Sequence, residues 1–247
     1  MITALAESSG SSSSSSAFGG LFVILVIAFF LYHRHKKKAT SEKASRKVEV
    51  TVSDTLPKTS RNHYSYDDSG LLSIAKFQKH VYDRFVVFDL ETTGLDPMND
   101  RIVEIGAVRV ENGKITDKYQ KLINPGISIP EEASAKNHIT DSMLKKCPDI
   151  KEVLPSFLKF VGSDVLVAHN AAFDASFLKK ACADLHYPAP TEYFDTMRLS
   201  VYWPDLPNRK LESFLNAAGI KNDSAHRALG DAKATAELTI ISFDKIK

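Results

Sequence analysis

Four apolar residues in a row, Phe85-Val86-Val87-Phe88, run into the polar stretch Asp89-Leu90-Glu91-Thr92-Thr93-Gly94. An unbroken apolar run of this length suits a strand buried on both faces of a sheet. The pattern continues as three consecutive strands, Phe85–Leu90, Ile102–Glu111 and Lys114–Ile123, and Asn112-Gly113 between the last two is a hairpin-turn pair. Ahead of them, Leu71, Leu72, Ile74, Ala75, Phe77 and Val81 form a rough helical stripe, which predicts a helix over 71–82 docked on the domain. Downstream the pattern predicts helices near Glu132–Lys145 and Ile150–Phe160, a strand over Asp164–Ala168 and a helix over Ala171–Leu185. A short strand near Tyr193, helices around Thr196–Tyr202 and Leu211–Ala218, and a terminal helix complete the order. Small residues in that last helix (Ala228, Ala232, Ala234, Ala236) allow close packing on a sheet. The order is mixed α/β, and a globular part of about 165 residues is ample for one core.

The first 70 residues follow other rules. Ser8–Ser16 is a serine tract broken only by Gly10, too polar to build a core, and residues 1–16 are expected to be disordered. Ala17–Tyr32 is 16 residues without a charge. As a helix it would span ~24 Å, short of a hydrocarbon layer of ~30 Å, a gap that thinning and reaching side chains can close. A secretory signal is the competing reading, but its positive leading region is missing and the basic cluster His33–Lys38 lies on the wrong side. The expectation is a single-pass transmembrane anchor over 17–32, engaging the membrane through 17–38, with all that follows in the cytoplasm. Residues 33–70 read as a basic tether, and 71–247 as the globular domain.

Charge sharpens that division. Between His33 and Asn62 nine Lys or Arg face three Asp or Glu, a balance of +6. With the chain at +2 and Glu7 the sole charge in residues 1–32, residues 63–247 are left at −3. The domain's overall field therefore does not advertise nucleic-acid binding. The tether is expected to touch anionic headgroups, with nucleic acid beside the domain as the alternative. Two cysteines, Cys147 and Cys182, match no zinc-site spacing, and no glycine-rich phosphate loop supports nucleotide-driven chemistry.

Three acidic stations carry the candidate chemistry. Side chains alternate along a strand, so Asp89 and Glu91 share one side at the end of a core strand, where paired carboxylates call for a cation. The second station is Val165-Leu166-Val167-Ala168-His169-Asn170-Ala171-Ala172-Phe173-Asp174, a strand, a turn and a helix start whose dipole favours Asp174. The third, from His226 to Leu238, holds His226 and Asp231 five apart. That spacing diverges by roughly 140° on an ideal helix, so both line one site only if His226 sits at a looped start. Each residue has a plain structural explanation on its own; the three stations together point to a site.

These motifs resemble the DEDDh family of 3′–5′ exonucleases, which includes the proofreading subunit of bacterial replicative polymerases and ribonuclease T. The match runs through Phe-Asp-Leu-Glu-Thr-Thr-Gly from Phe88, His-Asn-Ala-Ala-Phe-Asp from His169 and His-x4-Asp from His226. Supporting segments are Glu104-Ile105-Gly106-Ala107, Ile129–Ser134 and Ile139-Thr140-Asp141, so the likeness covers about Phe85 to Ile241. One departure is Asn137-His138-Ile139-Thr140 where the family often has His-Gly-Ile-Thr, which touches substrate preference more than activity. The resemblance implies a ribonuclease-H-like mixed sheet flanked by helices, and two Mg²⁺ or Mn²⁺ ions held by Asp89, Glu91, Asp174 and Asp231. Four carboxylates balance the charge of two such ions, and hard oxygen ligands suit them. His226 would accept the proton of the attacking water, at a reference pKa near 6.5.

Thr92 and Thr93 are the implied contacts of the terminal sugar. Leu95 and Phe173 could pack on terminal bases, although Phe173 also suits the core under its helix. Asn170 either holds the turn or approaches the substrate. The expected activity is release of nucleoside 5′-monophosphates from single-stranded 3′ ends, DNA favoured over RNA. An exoribonuclease and a non-catalytic tethered nucleic-acid-binding module are the alternatives, and a polymerase or repair partner in trans is open. All five motif positions are present, which favours the enzyme.

Overall fold

The computed structural model describes residues 70–245. In chain order these form helix α1 (Ile74–His80), strands β1 (Arg84–Thr92), β2 (Ile102–Glu111) and β3 (Lys114–Leu122), and helices α2 (Glu131–Asn137), α3 (Asp141–Leu144) and α4 (Ile150–Val161). Strand β4 (Leu166–Ala168), helix α5 (Ala171–Asp184), strand β5 (Tyr193–Asp195), a 3₁₀ segment (Thr196–Tyr202) and helices α6 (Leu211–Ala218) and α7 (Ala228–Asp244) follow. The strands make one sheet in the order β3-β2-β1-β4-β5. β1, β2 and β3 pair antiparallel, whereas β4 and β5 join parallel. This is the mixed, helix-flanked sheet that the motifs implied.

The unbroken apolar run of β1 is explained by a core on each side of the sheet. Val86, Phe88 and Leu90 pack with Leu154 and Phe157 of α4 and with Phe177 and Leu178 of α5. Phe85 and Val87 pack on the opposite face with Phe77 of α1, Phe214 of α6, and Leu238 and Phe243 of α7. The helix at the start of the domain is therefore docked, its Phe77 ring stacked 4.1 Å from Phe194. By the same alternation Asp89 and Glu91 continue the Phe85–Val87 side, the side covered by α7. α7 comes close because β2 carries Gly106 there: a Cβ at that position would lie 2.1 Å from the Leu229 nitrogen and 2.2 Å from the Ala228 carbonyl carbon. Gly106 stands directly opposite Asp89 in the ladder, so the start of α7 rests beside the acidic strand end.

Several ends shift by one to three residues, and two elements differ from the pattern in kind. The helix expected over Glu132–Lys145 is two pieces, because His138 takes a left-handed backbone (φ 58°) that caps α2, and the chain restarts at Asp141. The segment Thr196–Tyr202 is 3₁₀ rather than α-helical, opened by Asp195, whose side chain accepts from the Met197 N–H.

The expected transmembrane helix is corrected. Among the described residues no helix is long and apolar enough to cross a membrane. The longest, α7, has 17 residues and carries Asp231, Lys233, Glu237 and Asp244, where a span needs about 20 mostly apolar residues. The segment 17–32, with the basic residues up to 38, lies outside the described residues. The anchor, the membrane as partner and the single-pass membrane location with a cytoplasmic domain are therefore withdrawn.

Candidate active site

β1, α5 and α7 deliver the carboxylates. One oxygen each of Asp89, Glu91 and Asp231 lie within 4.8 Å of one another. Asp89 and Glu91 come from the end of β1, where the pairing with β2 shifts register after Glu91. Asp231 sits in the first turn of α7, held by the Asn222 amide (2.5 Å) and the His226 backbone N–H (3.2 Å). Asp174, in the first turn of α5, is buried and accepts from the Leu90 N–H at 3.0 Å. It is the strongest charged neighbour of Asp89, so all four acids share one pocket of negative potential.

Burial first, and then mutual repulsion, drives these groups toward protonation. Asp89 is raised by burial, then by Asp174, Glu91, Asp231 and Glu104. Glu91 is pushed up to about 7 by burial and by Asp231 and Glu104, against a smaller pull from Lys136 and Arg227. Asp174 is raised by burial, with the Leu90 N–H opposing. Asp231 is raised by burial, while Asn222 and the His226 N–H resist. A cluster of hard oxygen donors that repel one another fits divalent cations of the Mg²⁺ or Mn²⁺ type, which offset that repulsion.

His226 lies outside α7, exposed, in a left-handed backbone (φ 60°) two residues ahead of the helix. The looped start that its spacing from Asp231 required is thus present, and the side chain is freed from the helix. Leu95 is 68% exposed on the loop after β1. Thr92 and Thr93 are buried, and their hydroxyls bond within that loop: Thr92 to the Gly94 carbonyl, Thr93 to Asp100 at 3.1 Å. Asn170 is exposed, left-handed (φ 67°), and its N–H donates to Asp195 at 3.1 Å. Phe173 is half-buried, packed on the core with its ring 5.1 Å from Phe177. His169 bridges Thr196 and the Arg209 carbonyl, each at 2.9 Å, and burial lowers its pKa.

Two residues beside the site were given no role by the sequence reading. Asn222 was one, and nothing in a polar loop marks it. Glu104 was another, and its signal was available: a lone carboxylate in an otherwise apolar stretch of strand, Ile102-Val103-Glu104-Ile105-Gly106-Ala107-Val108.

The sequence and the fold have counterparts in known proteins. The exonuclease (RNase T) family model matches residues 86–239, well over half of the chain. The DNA polymerase III PolC-type protein of Clostridium perfringens is 42% identical over 185 residues, covering 74% of this chain and 13% of its own. Its counterpart in Thermotoga maritima is 41% identical over 166 residues, 66% of this chain and 12% of the relative. The chain thus spans about an eighth of the length of these curated relatives. Among solved structures, Exonuclease X in complex with 5′ overhanging duplex DNA is 30% identical with a TM-score of 0.54, covering 65% of this chain and 92% of that one. Exonuclease I of E. coli with a dT13 oligonucleotide shares the fold at 19% identity and a TM-score of 0.58, over 64% of this chain and 40% of its own. With the family model spanning β1 to α7 and every acidic station inside it, the chain belongs to the DEDDh family of 3′–5′ exonucleases.

Proposed function

We propose that residues 71–247 form a metal-dependent exonuclease domain that removes nucleoside 5′-monophosphates from the 3′ ends of single-stranded DNA. The observation that carries this reading is the convergence of Asp89, Glu91 and Asp231 within 4.8 Å, with Asp174 beside them. DNA is favoured because the PolC-type relatives are DNA polymerases and Exonuclease X is seen with duplex DNA. The same relatives suggest a setting in which the domain edits or trims ends made by a polymerase.

In this reading Asp89, Glu91, Asp174 and Asp231 would hold two divalent ions. Such a pair, when bound, supplies Lewis-acid polarisation of the phosphoryl group and a more acidic water. His226, exposed beside Asp231, takes the proton as the water oxygen bonds to phosphorus. The bond from phosphorus to the 3′-oxygen of the penultimate nucleotide breaks, and that oxygen leaves with a proton from solvent. The left-handed backbone at His226 lies ahead of α7, beside Asp231, and the Asn222 amide holds the Asp231 carboxylate. In the same reading Leu95, which is exposed, meets the terminal base, and Thr92 and Thr93, which are buried, shape the loop that carries it.

The test is incubation of the full chain with 5′-labelled single-stranded DNA and RNA of matched sequence in Mn²⁺, beside Asp89→Ala. A ladder shortening from the 3′ end on DNA, abolished by chelation and by the substitution, is expected. Faster shortening of RNA would replace the substrate, and no shortening of either strand would overturn the enzyme reading.

A further inference from the structure

One carboxylate next to the cluster has no part in the roles above. Glu104 on β2 is fully buried and faces Glu91 across the β1–β2 ladder. A third acid so close to Asp89 and Glu91 adds to the repulsion there, so its retention calls for a specific use. Its oxygens are fully engaged. Arg227 donates to it through Nε at 3.0 Å and Nη2 at 2.8 Å, the Ala228 N–H at 3.1 Å, and Gln120 Nε2 at 2.7 Å.

Gln120 reaches in from β3, and the other donors sit at the start of α7. Arg227 is the N-cap residue of that helix and offers it no side-chain cap, and Ala228 is its first residue. Glu104 therefore supplies from the neighbouring strand the anion that the exposed N–H groups and dipole of a helix start favour. It also grips Arg227 by two points of the guanidinium fork, which fixes orientation as well as distance. His226 is the residue immediately before this clamp, held in a left-handed conformation that non-glycine residues keep only where the surroundings over-determine it. On its other side the loop is pinned by the Arg227 N–H on the Ser224 carbonyl (3.2 Å) and the His226 N–H on Asp231. A buried ion pair is weak evidence of net stabilisation in itself, and here its geometry bears on one functional side chain.

We propose that Glu104 is a positioning residue which, through Arg227 and the Ala228 N–H, aims the His226 imidazole at the water beside the acidic cluster. The inference rests on the reading of His226 as the proton acceptor. Glu104→Gln removes the charge while keeping the shape, and Arg227→Lys keeps the charge while losing the fork. In the full chain each variant is expected to lower kcat about 10–100-fold with KM and Mn²⁺ affinity held within about twofold, the size typical for loss of an outer partner. Placed on His226→Asn, neither should lower the residual rate further. In the metal-free protein, the His226 ring resonance, assigned by its loss in His226→Asn, should be single in the wild type and broadened or doubled in both variants. A loss carried by KM or Mn²⁺ affinity, an equal loss on the His226→Asn background, or an unchanged ring resonance would overturn the proposal. Should Glu104→Gln fail to fold, Arg227→Lys decides alone, since the Arg227 side chain is 31% exposed. Wild-type turnover in His226→Asn would instead remove the proton-acceptor reading itself, an outcome separate from the other two.

Discussion

His226 illustrates how one residue's backbone sets its chemistry. Inside α7 its side chain would diverge from Asp231 by roughly 140°; its left-handed backbone ahead of the helix removes that constraint. Asparagine tolerates the same conformation better than most residues, so His226→Asn isolates the loss of the ring from any backbone strain. Turnover is expected to fall ~10²–10⁴-fold with Mn²⁺ binding intact, read by single-turnover kinetics beside a metal titration. Activity near the wild-type level would take the imidazole out of the mechanism. At this scale the sequence was readable where chemistry and local pattern coincide. Asp89 and Glu91 stood out by alternation at a strand end, and Asp174 only in company with the other acidic stations. Glu104 was marked only as a lone carboxylate in an apolar strand, and its role stayed hidden because its partner, Arg227, is 123 residues away. Asn222 was equally silent, since only the folded loop brings it to Asp231.

Among the elements, the placement of α7 on β2 decides whether the third acidic station reaches the first. Gly106 makes that contact possible by lacking a side chain opposite Asp89. A methyl group there would meet helix backbone, which cannot rotate away. Gly106→Ala is therefore expected to destabilise the domain by about 1–3 kcal/mol in denaturant unfolding, and to weaken Mn²⁺ binding as Asp231 is displaced. Unchanged stability and Mn²⁺ affinity would show that α7 is not seated by this contact. Strands and long helices were legible because apolar periodicity reports burial directly: β2 fell where the pattern placed it, and α6 matched residue for residue. Boundaries set by single backbone conformations were not. The αL turn at His138, which divides α2 from α3, leaves no mark in the hydropathy pattern.

For the whole molecule, the electrostatics of the acidic cluster link stability to pH and metal. Glu91 stands at about 7 in the fold against an ordinary 4.5, and Asp89 and Asp174 are raised as well. A raised carboxylate binds a proton more tightly when folded, so the metal-free protein loses stability as pH climbs from about 4.5 through about 7 and carries the whole penalty above that window. The melting temperature without metal is expected to rise on lowering the pH from about 8 to about 6, and saturating Mn²⁺ to raise it most at the upper end, where no proton competes. A metal-free melting temperature that falls over the same interval would contradict the repulsion. The N-terminal third shows the opposite limit of reading hydropathy alone. An uncharged run of 16 residues suggested an anchor, yet the helices that the structure describes include no membrane-crossing one.

The most direct test of the central claim is calorimetric titration of Mn²⁺ into the full chain and into Asp89→Ala, in the presence of a nucleoside 5′-monophosphate. Two ions per wild-type chain, with binding lost or reduced to one weak ion in the variant, is the expected result. Equal Mn²⁺ uptake by both proteins, or none by either, would contradict a two-ion site built on the four carboxylates.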